Sequence, residues 1–242
     1  MTSIGIAIPT FREASNIAAL IGELQSYFPD ARIVVVDDSP DLETAHAVEP
    51  LCGAGVELIH RDRKEGRGSA VLVAIRRCLE NGCTAIVEMD ADFSHAPAEL
   101  PGLLDALESN GADAIIASRY IPGGRIRNWP LGRRVFSIIA NVLARTLLGV
   151  PVRDYTAGYR VYSRRAAETI DATCGKLARG FIPLSESLVN LYYRGFRIME
   201  VPSVFINRTR GESSVSLVEV GHAVIGLVRI YGLKRTLSRR RT

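Results

Sequence analysis

Residues 86–95 read IVEMDADFSH, an apolar run that ends in two carboxylates separated by one residue. Side chains two residues apart on an extended strand point the same way, so Asp90 and Asp92 are predicted to converge at a strand's carboxyl end. Open α/β sheets bind ligands at that edge. Two close carboxylates need a cation between them, and oxygen ligands suit Mg²⁺ or Mn²⁺ with substrate phosphates completing the shell. An acidic turn after a strand is an equally good interpretation of this spacing alone.

Apolar runs alternate with helical patterns on either side of this stretch. The patterns predict strands at 4–8, 32–36, 56–60, 85–89 and 114–118, and helices at 15–27, 42–51, 68–80 and 97–108. Such alternation is typical of βαβ units, and it predicts an α/β fold with a mostly parallel sheet flanked by helices. Ser15 is expected to cap the first helix.

The pattern changes after residue 120. Helices are predicted at 131–148, 184–193 and 217–233, a short strand within 153–162 and another strand at 198–205. We expect one domain over residues 1–215, followed by an apolar helix and basic tail over 216–242. No window is apolar enough for a spanning helix, and the N-terminus lacks a signal-peptide pattern.

The chain of 242 residues has a net charge of +4 that is unevenly distributed. Residues 1–120 hold 9 Lys and Arg against 19 Asp and Glu, whereas residues 121–242 hold 21 against 7. A basic second half predicts a polyanionic partner, for which an anionic membrane surface fits better than nucleic acid. The four cysteines show no metal-binding spacing and predict free thiols in a reducing compartment.

Further candidate ligand-binding residues follow other predicted strands. Asp37 and Asp38 could hold ribose or base donors. Arg67 and Gly68 lie in a Gly-Arg-Gly turn that opens a helix and could approach a phosphate. A dinucleotide fingerprint would need a third glycine, but position 71 is Val. The sequence therefore argues against a nicotinamide or flavin enzyme.

These segments together resemble a known family. IPTFRE at 8–13, VDD at 36–38, GRG at 66–68, MDADFSH at 89–95 and SRY at 118–120 are similar to family 2 glycosyltransferases of GT-A fold. WP at 129–130, Arg133, Ser137, Asn141, DYTAGYR at 154–160, Arg208 and GES at 211–213 resemble the dolichol-phosphate or polyprenyl-phosphate mannose synthase subgroup. The resemblance runs in order from about residue 4 to 215.

The resemblance implies a role for each matched residue. The nucleoside pocket would be lined by Pro9, Phe11, Glu13 and Asp38. Asp37, Arg67, Gly68 and Ala91 complete the predicted donor-binding set. Asp90 and Asp92 would hold Mg²⁺ or Mn²⁺, with Ser94 near the third ligand position. The acceptor phosphate would meet Arg119, Arg133 and Ser137, and Arg208 would lie on a loop closing over the donor.

Three of these positions have a purely structural alternative. Arg119 could form an ordinary ion pair. Asp154 could either shape the catalytic site or only fix the loop before Tyr159. His95 is expected to support the metal-binding loop rather than to bind metal.

The implied reaction is inverting hexose transfer from a nucleotide sugar to a polyprenyl phosphate, with GDP-mannose the expected donor. UDP-glucose, UDP-galactose or a UDP-N-acetylhexosamine, and a soluble acceptor, remain alternatives; an intact Asp90 and Asp92 argue against a non-catalytic scaffold. A lipid acceptor predicts peripheral docking at the cytoplasmic face of a membrane, through residues 131–148 and 217–233 and the basic tail. A partner membrane-protein subunit is a further possibility.

Overall fold

A seven-stranded sheet forms the centre of the computed structural model, which describes residues 2–53, 55–175, 177, 182–207 and 217–239. The strands are β1 (Ile4–Thr10), β2 (Arg32–Asp37), β3 (Val56–His60), β4 (Ala85–Glu88), β5 (Ala114–Ser118), β6 (Arg125–Arg127), β7 (Arg160–Ser163), β8 (Ile198–Pro202) and β9 (Val204–Ile206). The helices are α1 (Ala14–Tyr27), α2 (Glu43–Val48), α3 (Arg67–Glu80), α4 (Leu100–Ser109), α5 (Leu131–Leu148), α6 (Arg164–Thr173), α7 (Ile182–Tyr193) and α8 (Leu217–Ser238). Short 3-10 turns at Glu49–Leu51 and Pro97–Glu99 adjoin α2 and α4.

The main sheet has the order β3-β2-β1-β4-β7-β5-β8. Every neighbouring pair is parallel except those made by β7, which runs antiparallel to both β4 and β5. The prediction of a mostly parallel α/β sheet is therefore confirmed. β6 and β9 pair separately as a two-stranded sheet. Because β1, β2, β4 and β5 run the same way, the loops that follow them lie at one edge of the sheet.

Apolar side chains cover both faces of the sheet. One face packs against α1 and α4 through residues such as Leu20 and Leu103. The other face packs against α3 and α6, which contribute Ala74 and Ile170. A third cluster joins α5, α7 and α8 beside β5. The strands read as continuous apolar runs because helices bury them on both sides.

Several predicted boundaries shift in the structure. β4 ends at Glu88, so Asp90 and Asp92 lie on a loop and not on a strand, which corrects the alternation argument for their convergence. Ser15 does not cap α1; Glu13 occupies the N-cap position, and its side chain makes no capping bond. The helix α6 was not predicted, because its buried stripe is short and mostly alanine. Its N-cap, Ser163, accepts a hydrogen bond from the Ala166 amide.

The C-terminal helix α8 packs on the rest of the chain. Ile230 and Leu237 are buried in the cluster with α5 and α7, whereas Val228 and Tyr231 are exposed. The Lys234 ammonium donates to the Leu147 carbonyl at 2.7 Å, at the C-terminal end of α5. One side of the described part of α8 thus packs on the protein, and membrane contact by residues 217–233 stays a prediction.

Within the described residues, no helix combines the length and the apolar composition that crossing a bilayer requires. The cysteines Cys52, Cys78, Cys83 and Cys174 are all free thiols, as predicted.

Gly68 has a packing role that the sequence did not predict. A Cβ atom added there would lie 2.3 Å from Cγ of Pro183 on α7, and a proline ring cannot swing aside. We expect Gly68→Ala to lower the free energy of unfolding by about 1–3 kcal/mol through overpacking. Gly22→Ala on α1 is the matched control, because nothing lies within 4 Å of its Cβ position. Urea denaturation should show Gly22→Ala at or above wild-type stability; equal effects of the two substitutions would contradict the packing.

Candidate active site

The loop after β2 carries two buried carboxylates with partners inside the chain. Asp37 accepts hydrogen bonds from the hydroxyls of Thr10 (2.9 Å) and Ser39 (2.6 Å) and lies 3.0 Å from Nδ1 of His60. It is completely buried, so its role in the structure is to tie together the ends of β1, β2 and β3. This position corrects the prediction of direct ligand contact by Asp37.

Asp38 organises the turn before α3. One carboxylate oxygen accepts from Arg61 at 2.6 Å, and the other accepts the backbone amides of Glu65 and Gly66 at 3.1 and 3.0 Å. The side chain is only slightly exposed. Asp38 therefore fixes the turn that begins α3, and its contact with a nucleoside stays a prediction.

The exposed side of this region is formed by the loop after β1. Pro9 is buried at the end of β1, whereas the Phe11 ring is partly exposed and lies 3.7 Å from the Lys64 ammonium. Glu13 accepts a hydrogen bond from Asn16 at 2.8 Å. An exposed aromatic ring above a polar turn can stack on a base, and the nucleoside role of Phe11 stays a prediction.

The loop after β4 holds the acidic pair. Asp92 accepts the Ser94 backbone amide at 3.0 Å, and Phe93 adopts a left-handed backbone with φ of 56°. This tight turn, rather than strand alternation, brings Asp90 and Asp92 to one loop. Ala91 is buried in the core, so only its backbone can meet a ligand, and the Ser94 side chain is buried as well.

The buried His95 side chain packs the loop after β4 against neighbouring aromatic rings. Its ring packs 5.1 Å from the rings of both Tyr159 and Phe205, and Nδ1 lies 3.2 Å from the Ser203 hydroxyl. Burial lowers the pKa of His95 to about 4, so the ring is neutral at physiological pH. This position agrees with a supporting role for His95.

The acidic pair offers carboxylate oxygens, the ligands that a hard divalent cation takes. No group of three His, Cys, Asp or Glu side chains converges within the described part of the chain. Mg²⁺ and Mn²⁺ sites that act on phosphates commonly use one or two carboxylates, with phosphate oxygens and water as the other ligands. The oxygen donors of Asp90 and Asp92 fit such a site, whereas the Ser94 side chain is buried, and its place near the third ligand position stays a prediction.

Arg119 and Asp154 form the most buried ion pair of this edge. The Arg119 guanidinium donates to both carboxylate oxygens at 2.7 and 2.8 Å, and the Arg119 backbone amide donates to the same carboxylate at 3.0 Å. Burial alone would raise the pKa of Asp154, but the hydrogen bonds and charge of Arg119 outweigh it and hold the pKa below its ordinary value. Asp154 is completely buried, so it positions Arg119 and is not itself in reach of a substrate.

The first turns of α5 lie next to this pair. The Ser137 hydroxyl accepts a hydrogen bond from the Tyr120 hydroxyl at 2.7 Å. The Arg133 guanidinium lies 4.3 Å above the Trp129 ring and donates to Asn207 at 3.3 Å. The structure thus brings Arg119, Arg133 and Ser137 to one region, as their predicted common role requires. Arg208 lies outside the described residues.

A cavity of about 300 Å³ opens between Arg119, β6 and α5. Its lining includes four arginines and two isoleucines: Arg119, Arg125, Arg127, Arg134, Ile126 and Ile138. Arg125, Arg127 and Arg134 are exposed beside the cavity, and none of them forms an ion pair with a carboxylate of the described residues. The sequence signal was the Arg-Ile-Arg alternation over 125–127, which places both arginines on one face of a strand.

Arg160 was also missed as a structural element of the site. Its buried guanidinium donates to the carbonyls of Tyr155, Ala157 and Leu184 and to the Ser187 hydroxyl, at 2.8–3.0 Å. These bonds tie the loop that carries Asp154 to α7. An arginine inside the apolar strand β7 is the signal that could have identified it, because such a charge needs buried partners.

Known proteins share this fold and much of this sequence. The chain matches the model of glycosyl transferase family 2 over residues 5–171. It is 39% identical over 242 residues to the polyprenol monophosphomannose synthase of Mycolicibacterium smegmatis, covering 98% of this chain and 89% of that one. It is 37% identical to the undecaprenyl-phosphate mannosyltransferase of Micrococcus luteus, covering 92% and 91%.

A solved structure confirms the architecture. Glucosyl-3-phosphoglycerate synthase from Mycobacterium tuberculosis, in complex with Mn²⁺, UDP and glucosyl-3-phosphoglycerate, superposes with a TM-score of 0.68 at 19% identity. The match covers 96% of this chain and 80% of that one. At this identity the likeness establishes the fold alone.

Because the Arg119–Asp154 pair is buried, we expect a large loss of stability when one partner is removed. Asp154→Ala leaves a guanidinium buried without its carboxylate, and breaking such a pair costs about 3–5 kcal/mol. We expect that loss in the free energy of unfolding, measured by urea denaturation. Asp171→Ala, which removes the surface partner of Arg76, should cost less than about 1 kcal/mol. Comparable losses for the two variants would contradict a structural role for the buried pair.

Proposed function

Because the chain belongs to glycosyl transferase family 2, we propose that it transfers a mannosyl residue from GDP-mannose to a polyprenyl phosphate, with inversion at the anomeric carbon. The chain is a glycosyltransferase; the choice of donor and acceptor is the proposal. The names of the mycobacterial and Micrococcus relatives support both choices.

The observation that carries the acceptor proposal is the arginine-lined cavity next to an apolar helix face. The exposed guanidiniums of Arg125, Arg127 and Arg134 suit a phosphate monoester, because arginine binds phosphate oxygens through paired N–H donors. Ile138 lines the same cavity and continues into the exposed side of α5. A phosphate bound among the arginines could therefore carry an apolar tail along α5.

The exposed side of α5 is strongly apolar. It presents eight large hydrophobic side chains, each at least 41% exposed: Leu131, Val135, Phe136, Ile138, Ile139, Val142, Leu143 and Leu147. Asn141, Ala144 and Leu148 face the protein instead. A helix of this kind, with Arg134 and Arg145 exposed at its borders, suits the interface of an anionic bilayer. We infer that the protein docks peripherally on a membrane through these eight side chains, the α5 apolar face.

The reaction needs little from a general base. The acceptor phosphate is already anionic near neutral pH, so its main requirement is to be held in line with the anomeric carbon. Arg119, held by Asp154, together with Arg133 and Ser137, would orient the phosphate oxygen that attacks. Attack from the face opposite the nucleotide forms the new bond as the bond to the diphosphate breaks, which inverts the anomeric carbon. A divalent cation held by Asp90 and Asp92 would offset the charge of the departing diphosphate.

The donor and acceptor proposals share one test. Purified protein, Mn²⁺ and undecaprenyl phosphate are incubated with radiolabelled GDP-mannose, UDP-glucose, UDP-galactose or UDP-N-acetylglucosamine. The proposal expects organic-extractable label with GDP-mannose alone. Label from a UDP-sugar would change the donor, and transfer only to water-soluble products would replace the lipid acceptor.

If the cavity arginines bind the acceptor phosphate, their removal should weaken the use of the acceptor and spare the donor. Arg125→Gln combined with Arg127→Gln should raise KM for undecaprenyl phosphate at least about tenfold, the loss expected for weakened charge-assisted hydrogen bonds, and leave KM for GDP-mannose nearly unchanged. Arg32→Gln, at the opposite edge of the sheet, is the control. A rise in the GDP-mannose KM alone would assign these arginines to the donor.

Docking through the α5 apolar face predicts a loss of vesicle binding. Phe136→Gln with Ile139→Gln removes two interfacial anchors worth about 1.5–3 kcal/mol each when fully buried. Co-sedimentation with anionic vesicles should fall at least about tenfold, while transfer to a short-chain acceptor in detergent persists. Tyr27→Gln removes an equally exposed ring on α1 and should change neither. Wild-type binding by the α5 variant would exclude this docking face.

A further inference from the structure

Arg67, the first residue of α3, inserts its guanidinium between two carboxylates at the end of β4. Nε donates to Oδ1 of Asp90 at 2.7 Å, and Nη1 donates to Oε1 of Glu88 at 2.8 Å. Nη2 donates to the carbonyl of Gly158 at 3.2 Å. One guanidinium thus bridges a carboxylate of the predicted metal site and a carboxylate outside it.

The surrounding backbone is shaped around this bridge. A Cβ atom at Gly158 would lie 2.4 Å from Nη2 of Arg67 and 3.0 Å from Oδ2 of Asp90. Gly66 precedes α3 with φ of 94°, a conformation that favours glycine and brings Arg67 into the helix at this point. The two glycines allow the close approach of Arg67 to Asp90.

The two carboxylates of the bridge differ in their surroundings. Glu88 is almost fully buried and also accepts the Tyr162 hydroxyl at 2.9 Å, so its bond to Arg67 belongs to the core. The Asp90 side chain is 30% exposed and lies on the loop that faces the ligand edge. Losing Arg67 would leave Glu88 buried beside an apolar core, whereas Asp90 can exchange its partner for another cation.

We propose that Arg67 is a built-in cation that competes with the divalent metal for Asp90 and so weakens metal binding at the acidic pair. The inference rests on the proposed metal-assisted glycosyl transfer. Metal binding at Asp90 requires Arg67 to share or release Oδ1, and the fixed positive charge repels the incoming cation. Removing the guanidinium charge should therefore tighten metal binding, although it removes an ion pair.

Direct Mn²⁺ binding in the presence of GDP tests this competition without measuring activity. Free Mn²⁺ is followed by electron paramagnetic resonance as the protein is titrated. Arg67→Gln should lower the Mn²⁺ Kd by about fivefold or more, because a unit charge within several ångströms acts strongly on a divalent ion. Arg76→Gln removes an exposed guanidinium from the same helix and should leave the Kd unchanged.

A second variant tests the competition without leaving the Glu88 carboxylate buried and unpaired. Arg67→Gln combined with Glu88→Gln removes both buried charges, and it should tighten Mn²⁺ binding as well because Asp90 is released in both variants. An unchanged or weaker Mn²⁺ affinity in the folded double variant would overturn the competition and leave Arg67 a structural residue.

Failure of the proposed metal site gives a different result from failure of the competition by Arg67. Wild-type protein that binds no Mn²⁺ with GDP, and whose Asp92→Asn variant is indistinguishable from it, would overturn the metal assignment itself. Wild-type binding that depends on Asp92 but does not respond to Arg67 would overturn only the present inference.

Discussion

The buried ion pair between Arg119 and Asp154 is the interaction on which the ligand edge depends. Asp154 precedes the antiparallel strand β7, and Arg119 follows β5, so the pair links two neighbouring strands where they reach the edge. Both residues are almost fully buried, and each retains its charge because the other compensates the cost of desolvation. The Arg119 backbone amide adds a further bond that fixes the start of the loop toward α5.

The rest of the edge is organised by similar bonds from charged side chains to backbone. Asp38 holds the turn before α3, Arg160 holds the loop after Asp154, and Arg67 joins the ends of β4 and α3. Polar groups in these positions are costly to bury, yet they keep several loops of this edge in one arrangement. On the proposed acceptor side, by contrast, Arg125, Arg127 and Arg134 of the cavity are exposed, and so is the α5 apolar face.

The sequence predicted the fold better than the details of the site. Continuous apolar runs and intervening helical patterns were sufficient for the mostly parallel sheet, and the helix predicted at 131–148 matches α5. The inward direction of Asp37 was not predictable, since its partners Thr10 and His60 come from two other strands. Gly68 illustrates the same difficulty, because its neighbour Pro183 is more than a hundred residues away. Alternation on an extended strand failed for Asp90 and Asp92 because the strand ends earlier.

The central claim is that the Arg119–Asp154 pair serves the acceptor phosphate, beyond holding the fold. The most direct measurement is acceptor binding by the double variant Arg119→Met with Asp154→Leu, which replaces the pair by apolar side chains of similar size and so avoids a lone buried charge. Calorimetry with a short-chain polyprenyl phosphate and with GDP compares the two sites in one folded protein. The account predicts a loss of at least about tenfold in polyprenyl-phosphate affinity and near wild-type affinity for GDP. Unchanged polyprenyl-phosphate binding by the folded double variant would contradict it.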